Sequence, residues 1–399
     1  MKILMINVVC GIRSTGRICT DLATALEEQG HEVKIAYGRE KVPEQFQKYA
    51  VRIGTDWDIR AHGLKARLLD GAGFGSKKST KKFIEWVKEY DPDVIHLHNL
   101  HGYYINIGIL FEYLRICGKR IIWTLHDCWA FTGHCAYFDF VECYKWKNMC
   151  QKCPQKSSYP SCKGISFAKT NFRRKKKLFT GISCLSIVTP SYWLEELVKE
   201  SFLKEYSVQV IHNGINTCIF RKKRTHIREK YHIDEKPLIL GVASVWNNRK
   251  GMGFFEEIQR ISGNSFNIVL VGADKKQKLP ETIMGIERTE NVEELVEWYN
   301  AADIFLNPTL EDNYPTVNLE ALCCGTPVIT FDTGGSRETI PETYREMMVE
   351  TKKTAKGLLE KIEELQKESI NRDMLSEECR DIDNDNITQN AYLNLYMSI

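Results

Sequence analysis

Asp312 and Glu320 lie eight positions apart in LEDNYPTVNLEALCCGTPVITFDTGG, residues 310–335. Pro315, suited to the first turn of a helix, falls between them. An apolar helical stretch, a Gly-Thr-Pro break, a short apolar strand and a glycine pair follow. The pattern predicts a helix from about Pro315 to Cys324, with Asp312 just ahead of it and Glu320 more than a turn inside. A helix N-terminus offers free amides and the positive end of its dipole to a phosphate. A carboxylate on the same helix can accept hydrogen bonds from a ribose or sugar diol, and one ligand carrying both groups is a nucleotide sugar. The alternative is structural: Asp312 caps the helix and Glu320 is a solvated carboxylate.

Other residues could also do chemistry. His126 ends the apolar run RIIWTLH, where either a site histidine or a satisfied core histidine fits, and Asp127 could orient its ring. His96, His98 and His101 cluster in IHLHNLHG without a well-placed acid, which favours polar lining over metal binding. GIRSTG lacks the third glycine of a dinucleotide fingerprint.

Cys135, Cys143, Cys150 and Cys153 end in a Cys-x-x-Cys knuckle and have spacing that could enclose a tetrahedral structural zinc, with Cys162 or His134 as substitute ligands; free thiols are the alternative. The basic run NFRRKKKLF, 171–179, reads as a solvated helix face or as a contact with an anionic membrane surface. Asp381, Ile382 and Asp383 read as helix-start acids and not as a metal motif.

The elements that must position these groups alternate between short β-branched runs and amphipathic helical stretches. Strands are expected at 3–9, 33–37, 94–98, 120–126 and 186–190, then at 238–245, 267–272, 303–308 and 327–331. Nearly continuous apolar strands separated by helices imply parallel sheets covered on both faces. The expected class is therefore α/β, with two doubly wound Rossmann-like domains facing a cleft, and 399 residues suffice for two cores.

The boundaries expected are 1–215 for the first domain, with a Cys-rich insertion at about 128–165, a charged linker at 216–236 and a second domain at 237–379. A terminal helix at about 380–399 is expected to pack back on the first domain.

Apolar, aromatic and charged fractions of 43%, 11% and 27% are those of an ordinary globular protein, and a net charge of +3 gives no reason to expect a nucleic-acid partner. No apolar run spans a bilayer, and MKILMINVVCG is short for a signal peptide, so a cytoplasmic location is expected. In that compartment the 14 cysteines are thiols or metal ligands before they are disulfides.

The stretch 310–335 resembles the carboxylate motif of retaining glycosyltransferases of the GT-B fold, family 4, the bacterial surface-polysaccharide type. The resemblance extends through STGR at 14–17, HNLHG at 98–102, WTLHDCWAFTGHC at 123–135, VTPS at 188–191, HNGIN at 212–216, RKG at 249–251 and DTGG at 332–335. It implies that Glu320 binds the nucleotide's ribose. Asp312, with the amides around Tyr314, Pro315, Thr316 and Val317, would hold the transferred sugar and its phosphates. Lys250 would neutralise the diphosphate leaving group, and His126 would sit beside the reacting carbon.

By the same resemblance Gly11, Ser14, Thr15 and Gly16 form a loop near a phosphate or the acceptor, while His98, Asn99, His101 and Asn213 line the cleft. Ser244 stands where the family commonly has an arginine, and Arg249 is the candidate to replace that charge. The implied activity is metal-independent transfer of a sugar, with retained configuration and no enzyme nucleophile, from a nucleotide sugar to a glycan or lipid-linked acceptor. Work on such an acceptor implies peripheral contact with the inner membrane face. Two other readings stay open: a nucleotide-sugar epimerase on the same fold, and a non-catalytic nucleotide-sugar binding protein.

Overall fold

The computed structural model describes residues 1–399 apart from 275, 276, 369, 383, 398 and 399; Asp383 thus lies outside the described residues. The chain divides into two compact units. The first comprises Met1–Ile211 with Gln389–Ile399, and the second His212–Thr388.

Seven parallel strands form the first sheet: β1 (Lys2–Ile6), β2 (Glu32–Tyr37), β3 (Ala50–Arg52), β4 (Val94–Leu97), β5 (Arg120–Thr124), β6 (Leu185–Thr189) and β7 (Val208–Val210), in the order β3-β2-β1-β4-β5-β6-β7. β1 and β4 are buried along most of their length because helices cover both faces. Strand order reverses between β1 and β4, so the loops leaving their carboxyl ends part to opposite faces and leave a crevice there.

The second sheet has six parallel strands: β8 (Leu238–Val242), β9 (Asn267–Val271), β10 (Ile283–Ile286), β11 (Ile304–Asn307), β12 (Val328–Phe331) and β13 (Val349–Glu350), in the order β10-β9-β8-β11-β12-β13. Its reversal lies between β8 and β11.

The expected linker at 216–236 is a correction. This segment belongs to the second unit, where Phe220 and Ile227 are buried in the core and the helix Ile227–Lys230 starts from a fully buried isoleucine. Charge dominates the stretch, but a few apolar residues suffice to fasten it. The terminal helix Asp385–Met397 returns Tyr392, Leu393 and Tyr396 to the core of the first unit. The short strands β3, β7, β10 and β13 and the helices Asp56–Leu69 and Lys77–Tyr90 add to the elements expected from the sequence.

The basic run forms the helix Ala168–Phe179, yet Lys175 is turned fully inward. Its Nζ donates to the carbonyls of Trp129 at 2.7 Å and Thr132 at 3.2 Å and lies 3.4 Å from the Trp129 ring centroid. Among the described residues no helix is long and apolar enough to cross a membrane.

Candidate functional site

The predicted residues of the first unit gather at the carboxyl ends of β1, β4 and β5. Gly11 turns at φ +72°, and its amide donates to the Gly16 carbonyl at 3.1 Å as the chain enters the helix Arg13–Glu28. Ser14 is exposed and Thr15 half-buried on the first turn. Asn7, which sequence reasoning passed over, ties this loop to the next: its Nδ2 donates to Val9 O at 2.9 Å and its Oδ1 accepts from the Asn99 amide at 3.3 Å. It sits one residue past β1, where a polar side chain interrupting an apolar run was the available signal.

His98 and His126 leave adjacent strands and meet, Nδ1 to Nε2, at 3.0 Å with stacked rings. Burial pushes the His126 pKa down to about 4, Asp127 opposing, and pushes His98 well below its ordinary value. Both imidazoles are therefore neutral near pH 7. His101 donates from Nε2 to Asp127 at 2.7 Å, and its Nδ1 lies 3.1 Å from the hydroxyl of Tyr159 in the Cys-rich insertion. Burial alone would raise the Asp127 carboxyl. The charge and hydrogen bond of His101, with the Trp129 amide, hold it below the usual carboxylate range.

His96 stands apart from this group: it is buried between the Tyr396 hydroxyl at 2.6 Å and Thr124 Oγ1 at 2.8 Å, as a satisfied core histidine.

In the second unit the loops leaving β8, β11 and β12 interlock. Gly251, at φ +73°, lets one loop pass so close to the next that an added Cβ would lie 2.1 Å from the Pro308 carbonyl oxygen. Gly334 does the same against Asp312, where a Cβ would lie 1.9 Å from the backbone oxygen. This packing explains Gly251 and Gly334: only glycine permits so tight a seat for residues 309–315.

Within that seat Lys250 Nζ forms an ion pair with Asp312 Oδ2, and Arg249 donates from Nη1 to the Glu311 carbonyl at 2.6 Å. Burial would raise the Asp312 carboxyl, but the charges of Lys250 and Arg249 overcome it and keep the group ionised. Ser244 is exposed just past β8. Glu311, fully buried beside Asp312, is a second acid that the eight-residue spacing did not single out.

The helix runs Thr316–Cys323, one residue shorter at each end than expected, because Pro315 is its extended N-cap. Thr316 and Val317 form its half-buried first turn. Tyr314 stacks on His212, ring centroids 4.7 Å apart, a partner that the HNGIN motif contained without being singled out. Asn213 follows, half-buried. Glu320 is a buried carboxylate and not a solvated one: it is 3% exposed and accepts from the Tyr299 hydroxyl at 2.8 Å. Such a group is held in one orientation.

Cys135, Cys143, Cys150 and Cys153 line a single small pocket together with His134. Cys162 does not line it; its thiol donates to the Ile165 carbonyl at 3.5 Å. Among the described residues no three His, Cys, Asp or Glu groups stand ready-made as a metal shell.

Two doubly wound parallel sheets, each with polar and charged groups collected at its reversal point, make the GT-B architecture, which the solved structures reported below share. Residues 15–218 match the family described as Glycosyltransferase Family 4 and residues 236–368 match Glycosyl transferases group 1. The chain belongs to glycosyltransferase family 4 and is a glycosyltransferase.

WcaC of Escherichia coli, named for glycosyl transfer in colanic acid biosynthesis, is 27% identical over 366 residues, covering 86% of each chain. The N,N'-diacetylbacillosaminyl-diphospho-undecaprenol alpha-1,3-N-acetylgalactosaminyltransferase of Campylobacter jejuni is 28% identical over 50% of this chain and 57% of its own. Among solved structures, sucrose-phosphate synthase from Thermosynechococcus elongatus superposes with a TM-score of 0.71 at 16% identity, covering 99% of this chain and 98% of that one. HepE of Anabaena, in complex with UDP, superposes with a TM-score of 0.67 at 13% identity, covering 99% of both chains.

Proposed function

We propose that this enzyme transfers a hexose-type sugar, with retention of configuration, from a nucleotide-sugar donor to a growing surface polysaccharide carried on a lipid. The observation that carries this reading is the Lys250–Asp312 ion pair beside Arg249, ahead of the N-terminus of the helix that holds Glu320. Breaking a glycosyl–diphosphate bond places negative charge on the departing phosphate and oxocarbenium character on the sugar. Fixed cations and unbonded helix amides stabilise the first of these without a metal ion.

In this mechanism Lys250 and Arg249 neutralise the diphosphate, and Asp312 keeps Lys250 in place while accepting from a sugar hydroxyl. Glu320 accepts from the ribose. The acceptor hydroxyl attacks the face that the phosphate leaves, and the leaving phosphate takes the acceptor's proton. His126, neutral at working pH, hydrogen-bonds the sugar near the reacting carbon. A surface-glycan role is supported by the names of the relatives, one of which acts on a diphospho-undecaprenol acceptor. An acceptor of that kind would bring the enzyme to the inner membrane face, where exposed Arg173, Lys176 and Lys177 suit anionic lipid.

The test is a thermal-shift screen against UDP, GDP, ADP and dTDP and their common sugars, with wild type and Glu320→Ala. Stabilisation by one nucleotide series that disappears in the variant is expected. An undiminished shift in the variant would remove Glu320 from the donor site.

A further inference from the structure

The Cys-rich insertion is long, and the reaction proposed above uses none of its side chains. Between residues 128 and 167 its regular structure, among the described residues, is three single turns: Cys128–Phe131, Asp139–Val141 and Lys145–Lys147. A stretch of that length with so little backbone pairing needs another source of order. Its sulfurs are concentrated. Cys135, Cys143, Cys150 and Cys153 line one pocket walled by Phe138 and Trp146.

The Cys135 thiol hydrogen-bonds the Cys153 sulfur, the Gly133 amide donates to the Cys150 sulfur, and the Gln155 amide donates to Cys153. Gly133 is required for this seat, since a Cβ there would lie 2.2 Å from the Ala168 carbonyl oxygen and 2.8 Å from Cβ of Cys150.

An independent feature points to a ligand. His134 lines the same pocket, 2% exposed, with Nδ1 bonded to the buried carboxylate of Asp70 and with Nε2 buried and, among the described residues, without a hydrogen-bond partner. A carboxylate that orients an imidazole beside a cluster of sulfurs is the arrangement that supports metal sites.

We propose that the pocket is a structural zinc site in which four of the five groups Cys135, Cys143, Cys150, Cys153 and His134, its imidazole oriented by Asp70, bind one Zn²⁺ tetrahedrally. As arranged, no three of these groups converge on one point. Binding the ion requires their side chains to turn about the Cα–Cβ bonds until the Zn–S distances reach about 2.3 Å. Each thiol gives its proton to solvent as it binds, and four protein ligands leave no open position for substrate. The site therefore acts through order. It staples the insertion whose Tyr159 hydroxyl lies 3.1 Å from His101 Nδ1.

The full-length chain, purified without chelator, is expected to contain close to one zinc by elemental analysis. Cys150→Ser/Cys153→Ser should fall to background, and Cys162→Ser, which alters a buried cysteine outside the pocket, should keep the metal. Should the double variant fail to fold, reduced wild type loaded with Co²⁺ should show thiolate-to-cobalt charge transfer and the ligand-field bands of a tetrahedral site. Wild type without zinc and without those bands would overturn the proposal, as would zinc retained in the folded double variant.

Discussion

Lys250 and Asp312 are 62 positions apart, and each explains why the other is charged in a mostly buried place. Lys250→Ala removes the cation set against the leaving diphosphate and strands a buried carboxylate. Turnover should fall by about 100-fold, the scale for removing one preorganised stabiliser of transition-state charge. Lys250→Arg should recover part of that in steady-state kinetics. Glu320→Gln keeps the shape but loses the charged acceptor, and a hydrogen bond to a charged group is worth about 1.5–3 kcal/mol. Calorimetry should therefore show nucleotide affinity lower by about 10- to 100-fold. Tyr299→Phe, which only frees Glu320 to turn, should cost less.

At the scale of elements, the terminal helix and β4 depend on each other. Tyr396 and Tyr392 supply hydroxyls to His96 and Thr124, so the first unit's core includes residues from the far end of the chain. Tyr396→Phe leaves a buried imidazole nitrogen unpaired and should destabilise by about 1–3 kcal/mol. That would appear as a lower urea midpoint.

The buried histidines also set a pH dependence. Burial lowers the pKa of His126 to about 4 and that of His96 to about 3, from 6.5. In the window between, the unfolded chain binds protons that the folded chain refuses. Stability is therefore fully present above about 6.5 and falls as the pH drops toward 4. Thermal midpoints measured across that range should decline, and less steeply in His96→Gln if that variant folds.

For the whole molecule, retention and metal independence are joint expectations. The product's anomeric configuration, read by NMR, should match the donor's, and EDTA in the assay should leave turnover unchanged because charge on the leaving group is met by Lys250 and Arg249. Inversion, or strict dependence on an added divalent ion, would contradict the proposed chemistry. The strands at the centre of each sheet were legible because their burial on both faces demands continuous apolar runs. Ala50–Arg52, Val208–Val210, Ile283–Ile286 and Val349–Glu350 were not, since short edge strands need no such run. The segment 216–236 misled for a related reason. Charge counts dominate its composition, while Phe220 and Ile227 decide where it packs.

What depends on local geometry was legible in the order of residues alone. Asp312 ahead of a helix and Glu320 within it follow from residues a few positions apart, as do the strand ends that carry His98 and His126 and the Cys-x-x-Cys knuckle. Tertiary structure decided the partnerships. Glu320 held by Tyr299, Asp312 by Lys250, His101 by Tyr159, Lys175 turned under Trp129 and His96 satisfied by Tyr396 three hundred positions away all depend on which elements become neighbours. Spacing along a chain fixes orientation only over a turn or two. Strand order and crossover paths bring remote side chains within bonding distance, and no local pattern encodes them.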